Sequence, residues 1–145
     1  EKRRRESLPG FRRYVKMAQR DILYCKECRK QVEVLQDCPE ELYCCKEKMI
    51  QLPVHTSGQG EEKHVPVVKI SGNKVTVCAG AVCHPMDTEH SIVWISLETQ
   101  HSVCRKFLQA GEKPEAEFMI PDPSALVRAS AYCNLHGLWA KELKS

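Results

Sequence analysis

No apolar run in this sequence approaches the roughly eighteen residues that a membrane-spanning helix needs, so no membrane partner is expected. The basic N-terminus is not followed by an apolar h-region, so no secretory signal is expected and a cytoplasmic location is. There is no internal repeat, no run of heptads and no convincing long helix, which argues against solenoids and coiled coils. Positive charge is also scarce beyond the first twenty residues. The formal net charge is +3, but residues 1–20 hold eight Lys or Arg against two acidic residues. The remaining 125 residues hold fourteen basic and seventeen acidic groups. The body is therefore mildly acidic, and the basicity belongs to a tail that reads as a solvated, poorly ordered extension over 1–20. No nucleic-acid partner is expected from it. Met17-Ala18-Gln19-Arg20 offers an alternative start just ahead of the first cysteine motif.

Cysteine is abundant, with nine among 145 residues. An odd count, an adjacent Cys44-Cys45 pair and the missing signal favour metal binding in a reducing compartment over a disulfide scaffold. Cys25-x-x-Cys28 followed by Cys44-Cys45 forms a four-cysteine metal pattern in which the second knuckle is collapsed to a vicinal pair. Neighbouring thiolates cannot open to a tetrahedral angle without backbone strain, so this site is expected to be distorted. A module of about 35 residues builds little core, so metal must supply part of its folding free energy.

A second set of donors lies further on. His64 stands in Glu62-Lys63-His64-Val65-Pro66, His84 and His90 in His84-Pro85-Met86-Asp87-Thr88-Glu89-His90, and Cys133 and His136 in Cys133-Asn134-Leu135-His136-Gly137. Four imidazoles and a thiolate exceed the four donors of a tetrahedral structural zinc. They suit a five-coordinate transition metal with one open position, where chemistry can occur.

These segments, in this order, resemble the superoxide reductases of the desulfoferrodoxin and neelaredoxin family, from about Tyr24 to the C-terminus. The first four-cysteine pattern is similar to desulforedoxin, and the two together resemble the two-iron desulfoferrodoxin class. The resemblance implies two irons per chain, one held by Cys25, Cys28, Cys44 and Cys45 and one by His64, His84, His90, His136 and Cys133. It implies the imidazoles in one plane and Cys133 on the axis. It implies one-electron reduction of superoxide to hydrogen peroxide, with Lys63 beside the open face and Glu62 able to occupy the sixth position when iron is oxidised. It further implies a small electron donor such as rubredoxin and a homodimer. A non-catalytic electron carrier is the rival reading, which the first motif alone would support. Arg29 follows Cys28 where the family often has glycine, so a positive φ there would be strained.

The fold expected is mainly β. A desulforedoxin-like module over 21–57 is followed by an immunoglobulin-like antiparallel sandwich over 58–145, with the break at the linker Thr56-Ser57-Gly58-Gln59-Gly60. In the second part, strands are expected over 65–70, 74–79, 91–97, 102–108, 115–120, 126–132 and 138–143, with a hairpin turn at Ser71-Gly72-Asn73. His55 and His101 read as surface histidines, and Trp94 and Trp139 as core anchors. Cys38, Cys78, Cys83 and Cys104 read as buried or incidental thiols, with Cys83 turned away from the metal.

Overall fold

A computed structural model describes residues 17–144. The chain divides into two compact units between Leu52 and Pro53. Residues 1–16, the greater part of the basic extension, lie outside the described residues. Its last four residues belong to the first unit. Met17 bridges Cys38, and the Gln19 backbone N–H donates to Asp37 Oδ1 at 2.7 Å. The Arg20 N–H donates to the Val34 carbonyl at 2.7 Å.

The first unit is built from hairpins too short to bury much apolar surface. Strands β1 (Ile22–Tyr24), β2 (Gln31–Glu33) and β5 (Ile50–Gln51) form a three-stranded antiparallel sheet. Strands β3 (Tyr43–Cys44) and β4 (Glu47–Lys48) form a separate hairpin. Among the described residues its core cluster has three buried members, Leu23, Cys25 and Met49, with Met17, Val32, Val34 and Cys44 packed against them. One of the three is a metal-type donor, so hydrophobic burial alone gives this unit little stability.

The second unit is a two-sheet sandwich. It comprises β6 (Val54–His55), the one-turn helix α1 (Glu61–His64) and strands β7 (Pro66–Ser71), β8 (Lys74–Ala79), β9 (Ile92–Thr99), β10 (Val103–Phe107), β11 (Glu115–Met119), β12 (Leu126–Cys133) and β13 (Gly137–Glu142). One sheet has the order β10-β9-β12-β13-β6 and the other β11-β8-β7. Their facing side chains make one core, including Val75 and Val77 from β8, Ile95 and Leu97 from β9, Ala116 from β11 and Ala129 and Ala131 from β12. All pairings are antiparallel except β6 with β13, where Val54 and His55 lie beside Leu138 and Trp139. That pairing places the break ahead of the linker expected at Thr56–Gly60, because Val54–His55 already belong to the larger sheet.

Alternation along β9 changes phase. Trp94 pairs Tyr132 while Ile92 pairs Cys133, so Val93 is an extra residue, a β-bulge. Ile92, Ile95 and Leu97 therefore face the core, and Trp94 turns to the opposite face. There it stacks on Tyr132 at 5.7 Å, with Arg105 4.6 Å above its ring. Trp94 is buried as expected, but outside the sandwich core.

Candidate metal centres

The donor atoms of His64, His84, His90, Cys133 and His136 all lie within 4.8 Å of one another. The imidazoles form a closed ring of edge-on contacts in the order 64–84–90–136. Their centroids are 4.7, 4.7, 5.0 and 4.9 Å apart and their planes cross at 72–78°. His64 thus stands opposite His90, and His84 opposite His136. Cys133 is fully buried at the end of β12, with its Sγ 3.7 Å from His136 Nδ1. The His136 backbone N–H donates to that sulfur at 3.4 Å.

Backbone carbonyls set two of the ring tautomers. His64 Nδ1 lies 2.7 Å from the Gly60 carbonyl and His84 Nδ1 2.6 Å from the Pro85 carbonyl. A carbonyl only accepts, so each Nδ1 carries the proton and each Nε2 presents a lone pair. Those two Nε2 atoms are 3.1 Å apart, and His90 Nε2 is buried without any hydrogen-bond partner. Converging lone pairs and an orphaned buried nitrogen are costly unless a cation joins them. Burial holds the His84 ring down to about 4 and also lowers His64, so both are neutral and ready to ligate at neutral pH. Burial raises the Cys133 thiol, so forming a thiolate there requires a positive partner.

Local sequence explains how each donor is aimed. Met86 anchors the His84-Pro85-Met86 loop against the core, its sulfur accepting from the Ile92 N–H at 3.3 Å and its carbonyl from Gly111 N–H at 2.8 Å. Asn134 joins the two remaining ligand loops. Its Oδ1 accepts from Ser91 N–H at 3.0 Å and its Nδ2 donates to the Glu89 carbonyl at 2.8 Å, on either side of His90. Helix α1 lies against the end of β8, and the Val82 N–H donates to the Glu62 carbonyl at 2.8 Å. Gly80, at φ +82°, leaves room for this, since a Cβ there would come within 2.3 Å of the Lys63 carbonyl carbon.

One side of the imidazole ring opens into a pocket of about 610 Å³, lined by Glu62, Lys63, His64, His90 and His136 with His55 and Trp139. Cys133 does not line it. Trp139 is buried as expected, but it serves the site rather than the sandwich core. It stacks on His64 with centroids 5.0 Å apart and its Nε1–H donates to the His136 carbonyl at 3.0 Å. His55, read as a surface histidine, is exposed yet lies tilted against Trp139 with ring centroids 5.0 Å apart and reaches the same pocket. Nothing in the sequence around His55 signals this, because the parallel β6–β13 pairing creates it. His101 is exposed and apart from the site. Cys83 is exposed, its Sγ at the His84 carbonyl, and stands outside both donor groups along with Cys38, Cys78 and Cys104.

In the first unit, the sulfurs of Cys25, Cys28, Cys44 and Cys45 also converge within 4.8 Å. Cys44 Sγ is 3.6 Å from Cys28 Sγ and 3.9 Å from Cys45 Sγ. The Lys30 backbone N–H, followed by the neighbouring thiols, lowers Cys28 to about 7. Cys28 in turn raises Cys44 and pushes Cys45 up to about 12. Four such thiols cannot all ionise without a cation among them. The strain expected at the vicinal pair has a defined place. Cys45 and Lys46 form the two-residue loop of the β3–β4 hairpin at φ +52° and +63°, where the twist of the strands favours Asn-Gly. Arg29 closes the first knuckle at φ +61°. Such left-handed positions cost residues with a Cβ roughly 1–2 kcal/mol each.

The Desulfoferrodoxin family profile matches residues 56–142. A desulfoferrodoxin homolog of Archaeoglobus fulgidus is 45% identical over 118 residues, covering 81% of this chain and 93% of that protein. The desulfoferrodoxin of Nitratidesulfovibrio vulgaris is 42% identical over 124 residues, covering 86% of this chain and 97% of that one. Among solved structures, the superoxide reductase from Treponema pallidum superposes with a TM-score of 0.68 at 31% identity, covering 84% of this chain and 96% of its own. The four-sulfur and five-donor groups fit the two irons of a two-iron desulfoferrodoxin. With the profile lying on the sandwich and its relatives spanning the cysteine module as well, this chain belongs to the desulfoferrodoxin family.

Proposed function

We propose that this chain is a superoxide reductase, an oxidoreductase that reduces superoxide to hydrogen peroxide without making oxygen. The observation that carries the reading is the asymmetry of the five-donor group. The sulfur is fully buried and lines no part of the pocket, whereas three of the imidazoles line it beside a lysine. His64, His84, His90, His136 and Cys133 would hold an iron, which would supply one-electron chemistry there; two protons complete the product. The protein's part is to bind, orient and steer. As ligands the four imidazoles would leave a bound ion's charge uncancelled, and a thiolate at Cys133 would add electron density to it. Lys63 adds positive charge at the pocket, drawing in a small monoanion and holding a proton near it. Glu62 offers a carboxylate on the same face, suited to the harder oxidised ion. Cys25, Cys28, Cys44 and Cys45 hold the second iron in the first unit.

Family membership supports the rest of this reading: a small one-electron donor such as rubredoxin, a homodimer and a cytoplasmic setting. Among the described residues no helix is long and apolar enough to cross a membrane. The test is Cys133→Ser, which replaces a soft thiolate by a poor alcohol donor. Visible absorption and metal analysis on protein purified without added zinc are followed by rapid mixing with superoxide. The ferric charge-transfer band of this centre is expected to vanish, and the rate to fall about 100-fold or more. A colourless native protein, or a variant with near-native rates, refutes the reading.

A further inference from the structure

Among the described residues, every non-glycine residue with positive φ lies in the first unit, and three of the four are Arg or Lys. Two of them, Arg29 and Lys46, directly follow donor cysteines, Cys28 and Cys45. Glycine would take these backbone conformations without strain. The hairpins therefore keep charged side chains where their own geometry favours none, and strain retained in this way points to a role for the side chain. Cys28 and Cys45 are exposed, and so are Arg29, Lys46, Lys26 and Lys30. Glu27 and Glu47 are exposed beside them, while Lys48 is neutralised by Glu41. Cations thus outnumber acids where the four-sulfur group meets solvent, although the chain beyond residue 20 is acidic overall.

We propose that this face of the first unit is a docking surface for an acidic one-electron carrier protein, with Arg29 and Lys46 as its central contacts. The inference rests on the reading of Cys25, Cys28, Cys44 and Cys45 as an iron site. One electron passes from the reduced carrier to ferric iron held by the four thiolates. The carrier is oxidised by one electron and the iron reduced by one, with no bond made or broken and no proton moved. Charge complementarity speeds such encounters by roughly 10- to 1000-fold at low salt.

The experiment compares the full iron-loaded chain with the double variant Arg29→Gly/Lys46→Gly. Reduced flavodoxin is the acidic probe and hexaammineruthenium(II) a small cationic control, each mixed with the ferric protein across a salt series. Glycine relieves the left-handed strain, so the thermal midpoint is expected to stay or rise. Reduction by flavodoxin is expected to slow about tenfold at low salt and to lose most of its salt dependence, while the ruthenium rate is unchanged or higher. Arg29→Gln/Lys46→Gln, which removes charge but keeps a side chain, is expected to slow flavodoxin equally. Flavodoxin rates and salt slopes that match the native protein overturn the docking surface, even if the reduction potential has shifted. Native protein without thiolate-bound iron overturns the iron reading as well, and metal analysis reveals that before any mixing.

Discussion

At the scale of single residues, the five-donor centre is made by what hydrogen-bonds or packs behind each donor. Gly60 and Pro85 carbonyls fix which nitrogen of His64 and His84 is free, Asn134 braces the loop of His90, and Trp139 holds His64 and His136. His84 is the most perturbed of the histidines, held down to about 4 chiefly by burial. An unfolded histidine titrates near 6.5. Between about 6.5 and 4 the unfolded chain takes up a proton that the folded ring refuses. The stability due to neutral His84 is present above about pH 6.5 and lost as pH falls towards 4. Denaturant titrations of metal-free protein are therefore expected to show stability declining through this window, with a shallower decline in His84→Gln. Stability that is flat or rises on acidification would contradict the burial argument.

At the scale of elements, the strands of the sandwich were legible because their apolar and polar residues alternate between turn signals. Strand β8 falls on the range expected, and β7 and β9 to β13 lie within two residues of theirs at either end. The missed features are those that alternation cannot encode. Strand β6 has two residues between Pro53 and a polar loop, so there is no period to read. The Val93 bulge reverses the phase of β9 for reasons that lie in its pairing with β12. Motif spacing named the donors, but not the order 64–84–90–136 around the ring, which depends on loops meeting in space. Helix α1 is a single turn, too short to be stable alone, and its seating against Gly80 holds Glu62, Lys63 and His64 in place. Gly80→Ala is expected to cost at least about 1–2 kcal/mol from the left-handed backbone, and more from the clash with Lys63. The thermal midpoint of the second unit should fall and the absorption of its iron should shift. A variant with native midpoint and spectrum would show that α1 is placed by something else.

At the scale of the whole molecule, the two metal groups belong to separate compact units, and every donor of each group lies within its own unit. The first unit has almost no apolar core, so its stability depends on its metal; the second has a continuous core between two sheets. Cys44→Ser is accordingly expected to strip or alter the four-sulfur iron and to loosen the first unit. Superoxide reduction with an artificial donor should remain within about twofold of native, as befits a change outside the catalytic unit. Parallel loss of the five-donor iron, followed by metal analysis, would refute this independence. Within the second unit the donors differ in the elements that carry them. Cys133 ends a strand paired on both sides, whereas the histidines stand on loops or on one helical turn. The strand ladder fixes the sulfur, while the hydrogen bonds and packing behind them hold the rings. A change in the pairing of β12 would therefore be felt at the sulfur, and a change in a loop at the imidazole which that loop carries.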